Sequence, residues 1–79
     1  MDSFLELQKT LSEKQKTVYQ VLGVHGPKTN RQIAKHLGWD INRVTGRVTE
    51  LVNLGMVTST NTVLDQETNR TVTLWKTSK

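Results

Sequence analysis

Residues 25–57 read HGPKTNRQIAKHLGWDINRVTGRVTELVNLGMV, and the periodicity within this stretch decides the fold. In its second half, Ile41, Val44, Val48, Leu51 and Val52 recur at a spacing that gathers them into one apolar stripe of an α-helix. Asn42, Arg43, Gly46, Thr49, Glu50 and Asn53 fall across from that stripe, with Thr45 and Arg47 on its flanks. The pattern predicts a helix over residues 41–54, opened by Asp40 as N-cap and stopped by Gly55. The first half predicts a shorter helix. Thr29 followed by Gln32 is a capping-box pair, Ile33, Ala34 and Leu37 turn inward, and Gly38 closes the helix. Arg31 and Lys35, four residues apart, share its outer face, and Trp39 sits in the tight connection as a core or turn residue.

Toward the N-terminus, Ser12 with Gln15 forms a second capping-box pattern, and Thr10 with Glu13 is an alternative start. Val18, Val21 and Leu22 supply an apolar stripe with Tyr19 beside it, and His25-Gly26-Pro27 ends this helix. Residues 1–11 place Phe4, Leu7 and Leu11 at helical spacing, as an N-terminal extension or short helix that covers the core or forms a dimer contact. Beyond Gly55 the period changes. Threonine and valine dominate, and Val72 and Leu74 alternate with Thr71 and Thr73, which predicts a β-hairpin of about residues 56–64 and 70–76. The turn lies between Asp65 and Arg70, where Asn69 tolerates positive φ; a two-residue and a four-residue turn both fit. Residues 12–79 therefore read as one α+β domain, and 79 residues leave room for no second one.

Composition narrows the function. Hydrophobic residues make up 34% of the chain and cysteine is absent, so the core rests on a few well-placed helices with no cross-links to help them. The absence of cysteine excludes disulfides and thiolate metal sites and fits an intracellular protein. No stretch approaches a membrane span, and the N-terminus lacks a basic start followed by an apolar run, so a cytoplasmic location is expected. The formal net charge is +4. Residues 27–55 hold most of it: Lys28, Arg31, Lys35, Arg43 and Arg47 stand against Asp40 and Glu50. Positive charge gathered in one segment points to a polyanionic partner.

Three helices followed by a hairpin, with these residues at these places, resemble the winged helix-turn-helix proteins that bind DNA, especially the small versions of bacteriophages and bacterial regulators. Thr29 at the start of the second helix, Ile33-Ala34 with Leu37-Gly38, and Val44, Val48, Leu51 and Gly55 carry the likeness. Thr68-Asn69-Arg70 and then Trp75 resemble the wing, with Asn69 where such turns often have glycine. The resemblance covers about residues 12–76. It implies double-stranded DNA as partner, sequence-specific transcriptional regulation as function, and the cytoplasm or nucleoid of a bacterial host cell as location.

On that basis the third helix enters the major groove, which admits one α-helix. Asn42 and Arg43 can each offer bidentate hydrogen bonds to a purine, and Thr45 and Thr49 suit a thymine methyl or a phosphate. Arg47 is either a phosphate contact or a tie between helices. Gly46 costs about 1 kcal/mol relative to alanine in an exposed helix, and it points away from the apolar stripe; close approach to DNA or drift at a tolerant position would explain it. Thr29 and Asn30, at the start of the second helix, suit a phosphate. Lys28, Arg31 and Lys35 would add charge along the backbone, and Arg70 at the wing tip could reach the minor groove or its phosphates. Asp65 and Glu67, in the same turn, oppose a tightly bound wing.

Other classes find little support. No nucleophile–base pair, phosphate loop or paired carboxylates occur, so no enzyme activity and no cofactor or small-molecule substrate are expected. His25 and His36 lie eleven residues apart without cysteine or clustered carboxylates, so no metal site is expected. A single domain reads few base pairs, which calls for a homodimer or a DNA-bound protein partner. The alternative function is a winged helix used as a protein–protein adaptor that inhibits or recruits a larger machine. Binding to single strands or RNA ranks lower, because exposed stacking aromatics are few.

Overall fold

The computed structural model describes residues 11–78. The expected role of Phe4 and Leu7 in covering the core or pairing two copies lies outside these residues. Within them, helices α1 (Glu13–His25), α2 (Asn30–Leu37) and α3 (Ile41–Asn53) precede strands β1 (Val57–Asp65) and β2 (Arg70–Thr77). The strands pair antiparallel. This is the winged helix architecture expected from the sequence.

Each helix starts where local chemistry provides for its unpaired amides. The Ser12 hydroxyl accepts from the Gln15 N–H at 3.2 Å while the Ser12 N–H donates to the Gln15 side chain at 3.0 Å. Thr29 and Gln32 repeat the exchange at the start of α2, at 3.2 and 2.9 Å. Asp40 departs from expectation: it occupies the N-cap position of α3, yet its side chain makes no capping hydrogen bond. Its backbone carbonyl accepts from Arg43 and Val44, and its exposed carboxylate acts on the helix through charge rather than a directed bond. Gly38 ends α2 in the left-handed conformation at φ 70°, which side chains with a Cβ resist.

The core sits where the three helices meet. Val18 and Leu22 of α1, Ile33 of α2, and Val44, Val48 and Leu51 of α3 are buried almost completely. Each such side chain contributes about 1.5–3 kcal/mol relative to exposure. Met56, expected to open the first strand, instead lies ahead of it as a fully buried core residue, its N–H bonded to the Leu51 carbonyl at 2.9 Å. Leu11 also joins this core at 6% exposure.

The hairpin resolves to the four-residue turn. Asp65 pairs with Arg70, the Asn69 N–H donates to the Asp65 carbonyl at 2.7 Å, and Asn69 takes φ 61°. Between Ser59 and Asn61 the register shifts, leaving Thr60 as an extra residue that bends β1. Lys28 adds a bridge to the other side of β2: its N–H donates to the Trp75 carbonyl at 3.0 Å, and the Trp75 N–H returns a bond at 2.8 Å. The connection between α1 and α2 thus docks on the hairpin, and Trp75 packs partly buried against the core. Among the described residues no helix is long and apolar enough to cross a membrane.

Candidate nucleic-acid interface

The outer face of α3 follows from its inner one. With Val44, Val48 and Leu51 in the core, Asn42, Arg43, Thr45 and Thr49 are left exposed. Asn42 and Arg43 occupy the first turn, the part of such a helix that can approach base edges end-on. The Arg43 guanidinium lies 5.7 Å from the centre of the Trp39 ring, within cation–π range. Trp39 is itself anchored, half-buried against the core, with its N–H on the Ala34 carbonyl at 3.0 Å. Among the described residues no carboxylate comes within ion-pair distance of Arg43. Its charge is oriented but not neutralised.

Gly46 lies one turn further along. A β-carbon at this position would meet nothing within 4 Å, so packing inside the protein does not call for glycine there. The Thr45 hydroxyl donates to the Ile41 carbonyl at 2.9 Å and accepts from the Asn30 amide at 3.4 Å, which joins the start of α2 to the face of α3. Asn30 Oδ1 is buried, and among the described residues it has no hydrogen-bond partner.

Three of the expected phosphate-binding cations are differently employed. Arg31 Nε donates to Asp65 Oδ2 at 2.8 Å, and its Nη1 lies 3.5 Å from Glu67 Oε1. Lys35 Nζ pairs with Glu67 Oε2. The wing turn therefore grips α2 through its own carboxylates. Asp65 is held below the ordinary aspartate value by the hydrogen bond from Arg31, aided by the Glu67 backbone N–H at 3.0 Å. Arg47 pairs within its own helix: its Nε and Nη2 donate to the two Glu50 oxygens at 2.8 and 2.9 Å. Glu50 Oε1 also accepts from Gln15 Nε2 at 2.8 Å, linking α3 to α1. The Arg47 hydrogen bond, then the Gln15 one, holds Glu50 below the ordinary glutamate value.

Thr29 is 5% exposed, and its hydroxyl is engaged in capping α2. It positions the helix start and does not present an oxygen to the surface. Lys28 is half-buried, its backbone committed to the bridge with Trp75, whereas Arg70 stands exposed where β2 leaves the turn. Sequence reasoning missed the Lys28 bridge and the α2–wing ion pairs. Asp65 and Glu67, two carboxylates crowded into the turn beside Arg70, were the available signal for the latter.

His25 and His36 do meet across the ends of α1 and α2, with ring centres 4.5 Å apart and planes tilted by 56°. Among the described residues no group of three or more metal-ligating side chains converges there or elsewhere.

A family model described as winged helix-turn-helix DNA-binding matches residues 11–58. Solved structures share the fold over nearly the whole chain. A MarR family regulator from Neisseria meningitidis superposes with a TM-score of 0.70 at 18% identity, covering 99% of this chain and 51% of that one. A mutant of ZitR from Lactococcus lactis in its apo form gives 0.71 at 21% identity, covering 98% and 55%. The adhesin competence repressor AdcR from Streptococcus pyogenes gives 0.71 at 22% identity, covering 98% and 56%. The chain thus spans about half the length of these structures. No curated protein matches it.

Proposed function

The chain belongs to the winged helix-turn-helix DNA-binding family, and from that premise we propose that it recognises specific duplex sequences with α3 in the major groove and regulates transcription. One observation carries this reading. The first turn of α3 exposes Asn42 and an arginine, Arg43, that lies over Trp39 and makes no ion pair among the described residues, while Gly46 leaves the middle of the same face bare. Bidentate donors suit purine edges, and a helix without a side chain at its centre can approach the groove floor closely. Thr45, Thr49 and Asn30 border that face and suit the adjoining backbone. Lys28, in the connection before α2, and Arg70, where β2 leaves the turn, would add charge for the backbone.

A single domain of this size contacts only a few base pairs, so two copies, or one copy beside a second DNA-bound protein, would read a full operator. Sedimentation of the free chain and of its complex with duplex separates those arrangements.

Titration of a randomised duplex pool at several salt concentrations tests the central reading. Log affinity should fall linearly with log salt, by about 0.9 for each phosphate neutralised, and a preferred sequence should emerge from the bound fraction. A salt-independent association, or a bound fraction as random as the input, would refute sequence-specific recognition.

A further inference from the structure

The α2–wing ion pairs bear on how selective such binding can be. Arg31 and Lys35 project from one face of α2, one turn apart, and both meet carboxylates that arrive from the wing turn, Arg31 from a partner 34 residues away. The two pairs are not alike. Asp65 has a side chain only 10% exposed, is oriented by the Glu67 N–H, and receives Arg31 at close range, so it fixes the wing to α2. Glu67 and Lys35 are open to solvent, at 47% and 67% exposure. An exposed pair of this kind adds little to stability. Its consequence lies in what Lys35 is kept from holding.

A carboxylate at ion-pair distance supplies what a DNA phosphate would supply. Cations that meet phosphates raise affinity for every sequence and carry no sequence information. We propose that Asp65 and Glu67 determine specificity by filling the cation positions of α2 from within the molecule, so that phosphate-driven binding to arbitrary sequences is held down and discrimination rests on α3. The proposal builds on the DNA-binding reading above. Asp65 performs the task while anchoring the wing; Glu67 performs it at a position that can be changed without disturbing that anchor.

Glu67→Gln is the informative variant, because it releases Lys35 and takes from Arg31 only its longer contact at 3.5 Å, leaving the closer bond to Asp65 in place. The full chain, this variant, and the same change in a Lys35→Gln background are titrated against the selected duplex and a scrambled one across a salt series. Glu67→Gln should steepen the salt slope by about 0.9, tighten the scrambled duplex several-fold at low salt, and lower the ratio of selected to scrambled affinity. With Lys35→Gln present, those gains should vanish. Unchanged or weaker binding by Glu67→Gln overturns the proposal, as does equal tightening in the Lys35→Gln background, which would mean that the lost negative charge acts through Arg31 or at long range and that Glu67 does not work by occupying Lys35. If the unaltered chain binds no duplex at all, the DNA-binding reading falls and takes this one with it. If it binds with normal salt dependence and only the variant effects fail, the inference alone is lost.

Discussion

Two cationic regions stand side by side on this small domain and differ in how their charge is met. On α2, Arg31 and Lys35 are paired with Asp65 and Glu67 of the wing turn. On α3, Arg43 faces an aromatic ring and open space, and a glycine follows it. Along the sequence the cations of residues 27–55 look equivalent. Folding divides them: Arg31, Lys35 and Arg47 are matched with carboxylates, while Lys28 and Arg43 have no ion pair among the described residues. Net charge in a segment therefore overstates what that segment can offer a polyanion, because two of the opposing charges, Asp65 and Glu67, arrive from outside it.

The strongest way to break this comparison is to remove what holds the α3 face in place. Leu51 is fully buried beneath it. Leu51→Ala should cost about 2–5 kcal/mol of folding stability, as large-to-small core changes do, and chemical denaturation would measure the loss. Duplex binding should fail together with folding. Retention of tight binding by a largely unfolded variant would mean that the α3 surface does not recognise DNA as a folded face.

Arg43 sharpens the comparison at the level of binding. Arg43→Ala should cost about 1–3 kcal/mol in discrimination at one base position, read by competition between duplexes that differ at that position. Arg31→Ala should alter base preference far less, because its guanidinium is already engaged with the wing. Equal loss of discrimination in both variants would show that the division of charge seen in the fold does not govern recognition.

How much of this is legible in the sequence differs by interaction range. The stripe of Val44, Val48 and Leu51, the capping pairs Ser12–Gln15 and Thr29–Gln32, and the left-handed Gly38 all depend on residues within a turn or two, so spacing alone exposes them. The exposed positions Asn42, Arg43 and Thr49 follow from the same periodicity. The Lys28–Trp75 bridge, the burial of Thr29 and Met56, and the ion pairs between α2 and the wing depend on how distant elements dock. The turn length of the hairpin stays open in the sequence for a related reason. Both registers satisfy the local residues, and the bulge at Thr60 with the Asp65–Arg70 pairing fixes one of them.

Gly46 offers an effect of opposite sign on stability and binding. With nothing within 4 Å of where a methyl group would stand, Gly46→Ala should stabilise the fold by up to about 1 kcal/mol through helix propensity. If the bare backbone serves close approach to the groove, the same change should weaken duplex binding. Thermal denaturation and a duplex titration on one preparation read the two together. Greater stability with undiminished affinity would assign the glycine to drift at a tolerant position.

The smallest effect expected concerns acid. Asp65 in the folded chain titrates below its ordinary value of 3.8, chiefly because Arg31 donates to its ionised carboxylate. A group lowered in this way favours the folded state fully above the unfolded value and ceases to do so as pH falls through the folded one. Glu50, lowered from 4.5 by Arg47 and then Gln15, acts with the same sign between α3 and α1. Between about pH 5 and 8 both clamps should therefore hold without change, and they should loosen only below about pH 4. Asp65→Asn isolates the wing clamp: its stability deficit relative to the unaltered chain should be constant near neutrality and shrink on acidification. A deficit that instead persisted undiminished at low pH would place the cost in the shape of the turn, where Asp65 also accepts the Glu67 N–H, and would remove the charge pairing with Arg31 as the reason that the two cationic regions differ.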